Sequence, residues 1–114
     1  MILKLLLWEE LLIYVRMSSR KGIARHVSNY FILLDAFKKY SKEYDVIHIH
    51  HYHAFNSLIS ANATIKGGFN KVIVHSHSTS AEFHRNLHYL ARFFLNRENI
   101  IKMACSYEAG KWMF

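Results

Sequence analysis

The 114 residues contain no proline, one cysteine, four glycines and only eight acidic side chains. An average proline content of ~5% would give about six, so Pro-rich linkers and Pro-kinked loops are excluded. The lone Cys105 has no partner for an intramolecular disulfide and cannot build a cysteine zinc site. A reducing compartment, most simply the cytoplasm, fits that usage. Four scattered glycines leave neither a G-x-G-x-x-G fingerprint nor a P-loop. A long clean apolar run is also lacking. Residues 1–15 read MILKLLLWEELLIYV, and Lys4, Glu9 and Glu10 interrupt them. A spanning helix needs ~20 mostly apolar residues, and a secretory signal needs a basic start and a small-residue cleavage site.

What is present is a core-forming composition, 52% hydrophobic, with a net charge of +7. The length suits one domain. The charge fits either solubility or an anionic partner such as nucleic acid, lipid headgroups or a phosphorylated substrate. The basic stretches at 16–25 and 38–42 read as solvated surface. No helix-turn-helix, RNA-recognition or zinc-finger pattern occurs, which disfavours a nucleic-acid module.

Residues 1–15 read as an amphipathic helix packed on a core or on a membrane surface. Their β-rich end, residues 11–17, also reads as a short strand. After a basic loop at 18–24, Val27, Tyr30, Phe31, Leu34 and Phe37 recur at helical spacing and predict a helix over 26–44 with that side buried. A strand over 46–49 follows. Residues 54–66 predict a helix stopped by Gly67 and Gly68. A strand over 71–75 comes next, then a helix over 79–96 with Phe83, Leu87, Leu90, Phe93 and Phe94 on its core side. A strand over 99–105 leads to a last helix from Ser106. Strict strand–helix alternation predicts α/β architecture with a parallel sheet. Short apolar strands predict helices on both faces.

Ligands of open parallel sheets bind beyond the carboxyl ends of the strands, which selects three junctions. The first holds His48, His50, His51 and His53. Four histidines in six residues suggest metal, but this tract alone supplies no cysteine or carboxylate to complete a set, and no metal is assigned. His50 at the strand tip is a candidate ligand contact, while His48 reads as a satisfied core histidine and His51 lies beyond the strand. At the second junction, Thr79 and Glu82 have capping-box spacing. A helix starting there would favour an anion, beside His77, Ser78 and Thr79. At the third, Ser106 is a natural N-cap with Glu108 in the first turn. Cys105 reads as a small buried residue, and no base marks it as a nucleophile.

The blocks YDVIHIHHYHAFNSLISANATIKGG, KVIVHSHSTS and ACSYEAGKWMF resemble, in order, the N-terminal domain of family 4 glycosyltransferases with the GT-B fold. The likeness is nearest to bacterial capsular and exopolysaccharide enzymes, whose patterns read DVVH.H, HSHN and ACSxEAGxWLFG. It runs from about Ile13 to Phe114, and residue 78 is serine where the family usually has asparagine. The resemblance implies a Rossmann-like parallel sheet with flanking helices, the partial N-terminal half of a GT-B fold, with residues 1–114 as a single partial domain. The nucleotide-sugar domain of such enzymes has no counterpart among these residues.

By the same resemblance, His77 contacts the transferring sugar, and His50, Ser78, Thr79 and Ser106 line the acceptor side. The intact enzyme would transfer sugar from a nucleotide-sugar donor, bound by the second domain, to a glycan or lipid-linked acceptor. It would retain configuration and need no cofactor or obligatory metal. A cytoplasmic site, peripheral on the inner face of the plasma membrane, would suit the basic charge. The isolated chain is expected to be inactive. The alternative is a stand-alone binding module that complements another chain or self-associates.

Overall fold

A computed structural model describes residues 2–6, 12–16, 19–51, 53–80 and 84–114. Strands β1 (Ile2–Leu6) and β2 (Leu12–Arg16) pair antiparallel, Ile2 opposite Arg16 and Leu6 opposite Leu12. The helix expected over residues 1–15 is therefore corrected to a strand pair. Runs of Leu and Ile carry no 3.6-residue stripe of their own, and two such runs satisfy their backbone groups by pairing.

Helix α1 (Gly22–Tyr40) then leads to strand β3 (Val46–His51), helix α2 (Ala54–Lys66), strand β4 (Lys71–Ser76), helix α3 (Arg85–Leu95), strand β5 (Ile100–Ala104) and helix α4 (Tyr107–Met113). The last three strands form a parallel sheet in the order β3-β4-β5, so the α/β, Rossmann-like architecture is as expected. Both crossovers step in the same direction across the sheet. Right-handed connection then puts α2 and α3 on one face.

The core lies under that face. Ile47, Ile49, Val72, Val74 and Ile100 point into it and meet Leu33 and Phe37 of α1, Ala61 of α2, Leu95 of α3 and Met113 of α4. Phe37 and Phe69 meet edge to face at 6.3 Å. The opposite face carries Val46, His48 and His50 of β3 with Ile101 and Met103 of β5, all exposed. Among the described residues nothing covers it. The expectation of helices on both faces is thus corrected, since the crossovers that would cover the second face must step the other way.

Two helix faces also differ from the apolar periodicity. In α1 Phe37 is buried as expected and Tyr30 and Leu34 pack against the core, but Asn29 and Leu33 are buried too while Val27 and Phe31 are exposed. In α3 they are His88, Ala91 and Leu95, and Leu90, Phe93 and Phe94 are exposed. Small Ala91 lets α3 approach its neighbours, where Leu90 or Phe93 would hold it off. Both helices are also displaced in sequence: α1 begins four residues before the expected start, and α3 begins at Arg85, not at Thr79.

Gly67 and Gly68 end α2 as expected. Gly68 supplies the left-handed φ of 116°. Gly67 sits where α1 and α2 touch: a Cβ there would lie 2.8 Å from the Phe37 Cβ and 3.0 Å from the Ala63 carbonyl oxygen. Neither neighbour can swing away, so Gly67→Ala is expected to cost about 1–3 kcal/mol, read as a lower chemical-denaturation midpoint. An unchanged midpoint would show that the two helix ends are not so close.

Exposed Arg20, Lys21, Arg25, Lys38, Lys39 and Lys42 form solvated surface. Among the described residues no helix is long and apolar enough to cross a membrane.

Candidate functional site

The parallel register sets His50 of β3 opposite His75 of β4. Directly opposed residues of a sheet share a face, and so do residues two apart. His48, His50, His75 and His77 therefore rise from the open face as one cluster, stacked in two dimensions. Ring centroids are 4.2 Å apart for His48 and His50, and 4.1 Å for His75 and His77. Across the strands, His50 lies 5.1 Å from His75 and 4.9 Å from His77.

Two contacts tie the strands together. His48 Nε2 is 3.0 Å from His75 Nδ1, and His50 Nδ1 is 2.7 Å from His77 Nε2. Each needs one ring to donate an N–H and the other to offer a lone pair. Burial, and then the neighbouring imidazoles, hold His48, His50 and His75 below the usual histidine range. His75 Nε2 is shielded from solvent and has no hydrogen-bond partner among the described residues.

His48 is thus exposed and paired with His75; its expected role as a core histidine is corrected, because the face it occupies is the uncovered one. His51 belongs to β3 and does not lie past its end. It points to the helix side, where its Nε2 lies 3.0 Å from the Ser60 hydroxyl oxygen. Burial and the charge of a protonated His50 push its pKa down to about 4.

The remaining histidines of the first junction and of α3 are structural. The backbone N–H of Phe55 donates to His53 Nδ1, capping α2, and His53 Nε2–H donates to the His84 carbonyl. His84 itself has a left-handed φ of 54°, a conformation that costs about 1–2 kcal/mol outside glycine. Its carbonyl also accepts from the N–H of His88 at the start of α3. His88 is wholly buried. Its Nδ1 accepts from the Ala54 N–H at 2.9 Å, its Nε2–H donates to the Trp112 carbonyl at 2.8 Å, and its ring stacks on Trp112 at 3.7 Å.

Of the five residues expected at a ligand site, the fold brings His50 and His77 into direct contact. Ser78 is half-buried just after β4, and its carbonyl accepts from the Ser76 hydroxyl. The Ser106 hydroxyl oxygen accepts from the Ala109 N–H at 3.1 Å, so Ser106 caps α4 as expected. Thr79 is exposed and caps no helix. The expected capping box is corrected, because α3 starts after His84; Glu82 lies outside the described residues. The anion site that a helix starting at Thr79 would create is therefore not formed. Cys105 is exposed, not buried, since it follows β5 on the sheet where no helix covers it.

His75 was absent from the expected site residues. Its signal was the His75-x-His77 spacing, which repeats His48-x-His50, but only the sheet register joins the pairs. A separate apolar groove of about 400 Å³ is lined by α1 and α2, including Ile23, Val27, Phe31 and Phe55, and by no strand residue. No protein-family model, curated protein or solved structure matches the chain significantly.

Proposed function

We propose that this chain forms the acceptor side of a GT-B sugar transferase of family 4 type. A donor-side domain would carry the nucleotide-sugar. The acceptor, a glycan or lipid-linked sugar, would meet the exposed His50–His77 pair, with His77 touching the transferring sugar. The acceptor hydroxyl oxygen would form the new glycosidic bond while the nucleoside diphosphate leaves with the old bonding pair and takes up the hydroxyl proton.

One observation supports this reading above the rest. Each of the three motif blocks includes the carboxyl end of one of three adjacent parallel strands, where α/β sheets bind ligands. Imidazoles there, each with two ring nitrogens, suit hydrogen bonds to sugar hydroxyls. Bacterial surface-polysaccharide synthesis, at the inner face of the plasma membrane, is the setting this chemistry fits.

The test is acceptor binding by saturation-transfer NMR, with a short polyprenyl-diphosphate sugar in micelles and with chelator present. His50→Ala is expected to weaken acceptor binding by about tenfold or more, the worth of one hydrogen bond to a charged or strongly polar group, without lowering thermal stability. Equal binding by wild type and variant would remove His50 from the acceptor side. The chain alone is expected to transfer no sugar, because holding donor and acceptor together supplies much of the rate. Clear turnover of a UDP-sugar would overturn the need for a second domain.

The open sheet face favours a second reading, a binding module. Val46, Ile101 and Met103 are exposed on it, beside strand edges able to pair with another chain. Concentration-dependent association in sedimentation would favour that reading, and a monomer at high concentration would count against it.

A further inference from the structure

We infer that His48, His50 and His75, with His77 at the rim, form a binding site for a late first-row divalent cation such as Zn²⁺. One ring nitrogen from each of the first three lies within 4.8 Å of the others. Tetrahedral zinc with Zn–N bonds of ~2.0–2.1 Å sets its ligand atoms about 3.3 Å apart. His48 Nε2 and His75 Nδ1 are already 3.0 Å apart. The third ring closes the remaining distance by side-chain rotation, which an uncovered face permits.

The chemistry of the donor set agrees. Imidazole selects Zn²⁺, Ni²⁺ and Cu²⁺ over Mg²⁺ or Ca²⁺. A cation between His48 and His75 would also replace the hydrogen bond that joins them. Two His-x-His pairs in adjacent parallel strands supply three ligands and a neighbouring fourth, so the carboxylate missing from the first tract is not required. The inference is separable from sugar transfer: His50 is shared with the acceptor reading, whose test is run with chelator, while the metal test turns on His48 and His75, which that reading does not use.

The test uses the purified full chain stripped with chelator and titrated with ZnCl₂ by calorimetry. One equivalent is expected to bind. His48→Ala and His75→Ala should each weaken binding by about tenfold or more, while His26→Ala, on α1 away from the cluster, should leave it unchanged. Long-range ¹H–¹⁵N spectra of the wild-type imidazoles provide a second reading that needs no variant. Zinc should fix the tautomers of His48, His50 and His75 and leave His53 and His88 unaltered. Absence of stoichiometric binding, binding equally strong in both variants, or perturbation of other histidines instead would overturn the site.

Discussion

Replacing His88 with alanine is expected to destabilise the fold by roughly 3–5 kcal/mol, the largest effect of any single change considered for this chain. Three losses combine. The Ala54 N–H, at the first turn of α2, loses its acceptor inside the protein, and an orphaned buried donor costs about 1–3 kcal/mol. The Trp112 carbonyl loses its donor at the same time. The ring that stacks on Trp112 at 3.7 Å leaves a cavity as well as a lost aromatic contact, worth about 0.5–1.5 kcal/mol beyond area.

One side chain thus joins α3 to the start of α2 and the end of α4. Domains of this size are stable by only about 5–15 kcal/mol, so the variant should melt some 10–20 °C lower. His88→Phe separates the contributions. It keeps the ring and most of the volume but leaves both polar groups unpaired, so about half the loss or more should remain. A melting temperature within a degree or two of wild type for His88→Ala would show that the clamp contributes little. His48→Ala, on the open face, is the reference, expected within about 1 kcal/mol because nothing packs over it.

His88 also shows where sequence reading stops. Read along α3, a histidine among Leu87, Tyr89 and Leu90 looks like the polar side of an amphipathic helix, and the larger residues Leu90, Phe93 and Phe94 look like the core side. The buried face is the opposite one, because it meets other helices and needs the small Ala91 and a hydrogen-bonding ring. The strands were easier. From residue 46 onward the order of strands and helices is legible, since short apolar runs and the Gly67-Gly68 stop are local properties. The Ser106 cap is legible for the same reason.

The open sheet face is not local. It follows from the order β3-β4-β5 together with right-handed crossovers, and neither the order nor the register is written in any one segment. The histidine cluster shares that origin. Each His-x-His pair is visible in its own strand, yet His50 meets His75 only because the parallel register brings them level. Residues 1–15 failed differently, because their Leu-rich pattern suits a helix or a strand, and pairing between Ile2–Leu6 and Leu12–Arg16 decides it.

Acid should weaken this fold well before its carboxylates titrate. The chain has nine histidines and eight acidic residues, and the shifts found for its histidines are all downward. For His88 the main cause is burial. The bond to the Trp112 carbonyl acts in the opposite sense, and the charges of His53 and Arg92 add to the lowering. Protonation would add a hydrogen at Nδ1, the atom that accepts from Ala54, so the charged ring must break that bond. Above the unfolded histidine pKa of about 6.5, both states are neutral and no penalty exists. As pH falls below that value the unfolded chain binds protons that the folded chain refuses, and stability drops until the folded pKa is reached.

His51, held at about 4, extends the window to that pH and alone accounts for a loss on the order of 3 kcal/mol across it. Protonating all nine rings would more than double the net charge of +7, adding self-repulsion. Urea unfolding in the presence of chelator should therefore give a plateau above about pH 7 and a steady fall from about 6.5 towards 4. His51→Gln should flatten the fall by about one proton's slope, ~1.4 kcal/mol per pH unit. It replaces an ionisable ring with an amide still able to reach the Ser60 hydroxyl. A stability that holds level from pH 7 to 5, or rises on acidification, would mean that these histidines are not held neutral by the fold.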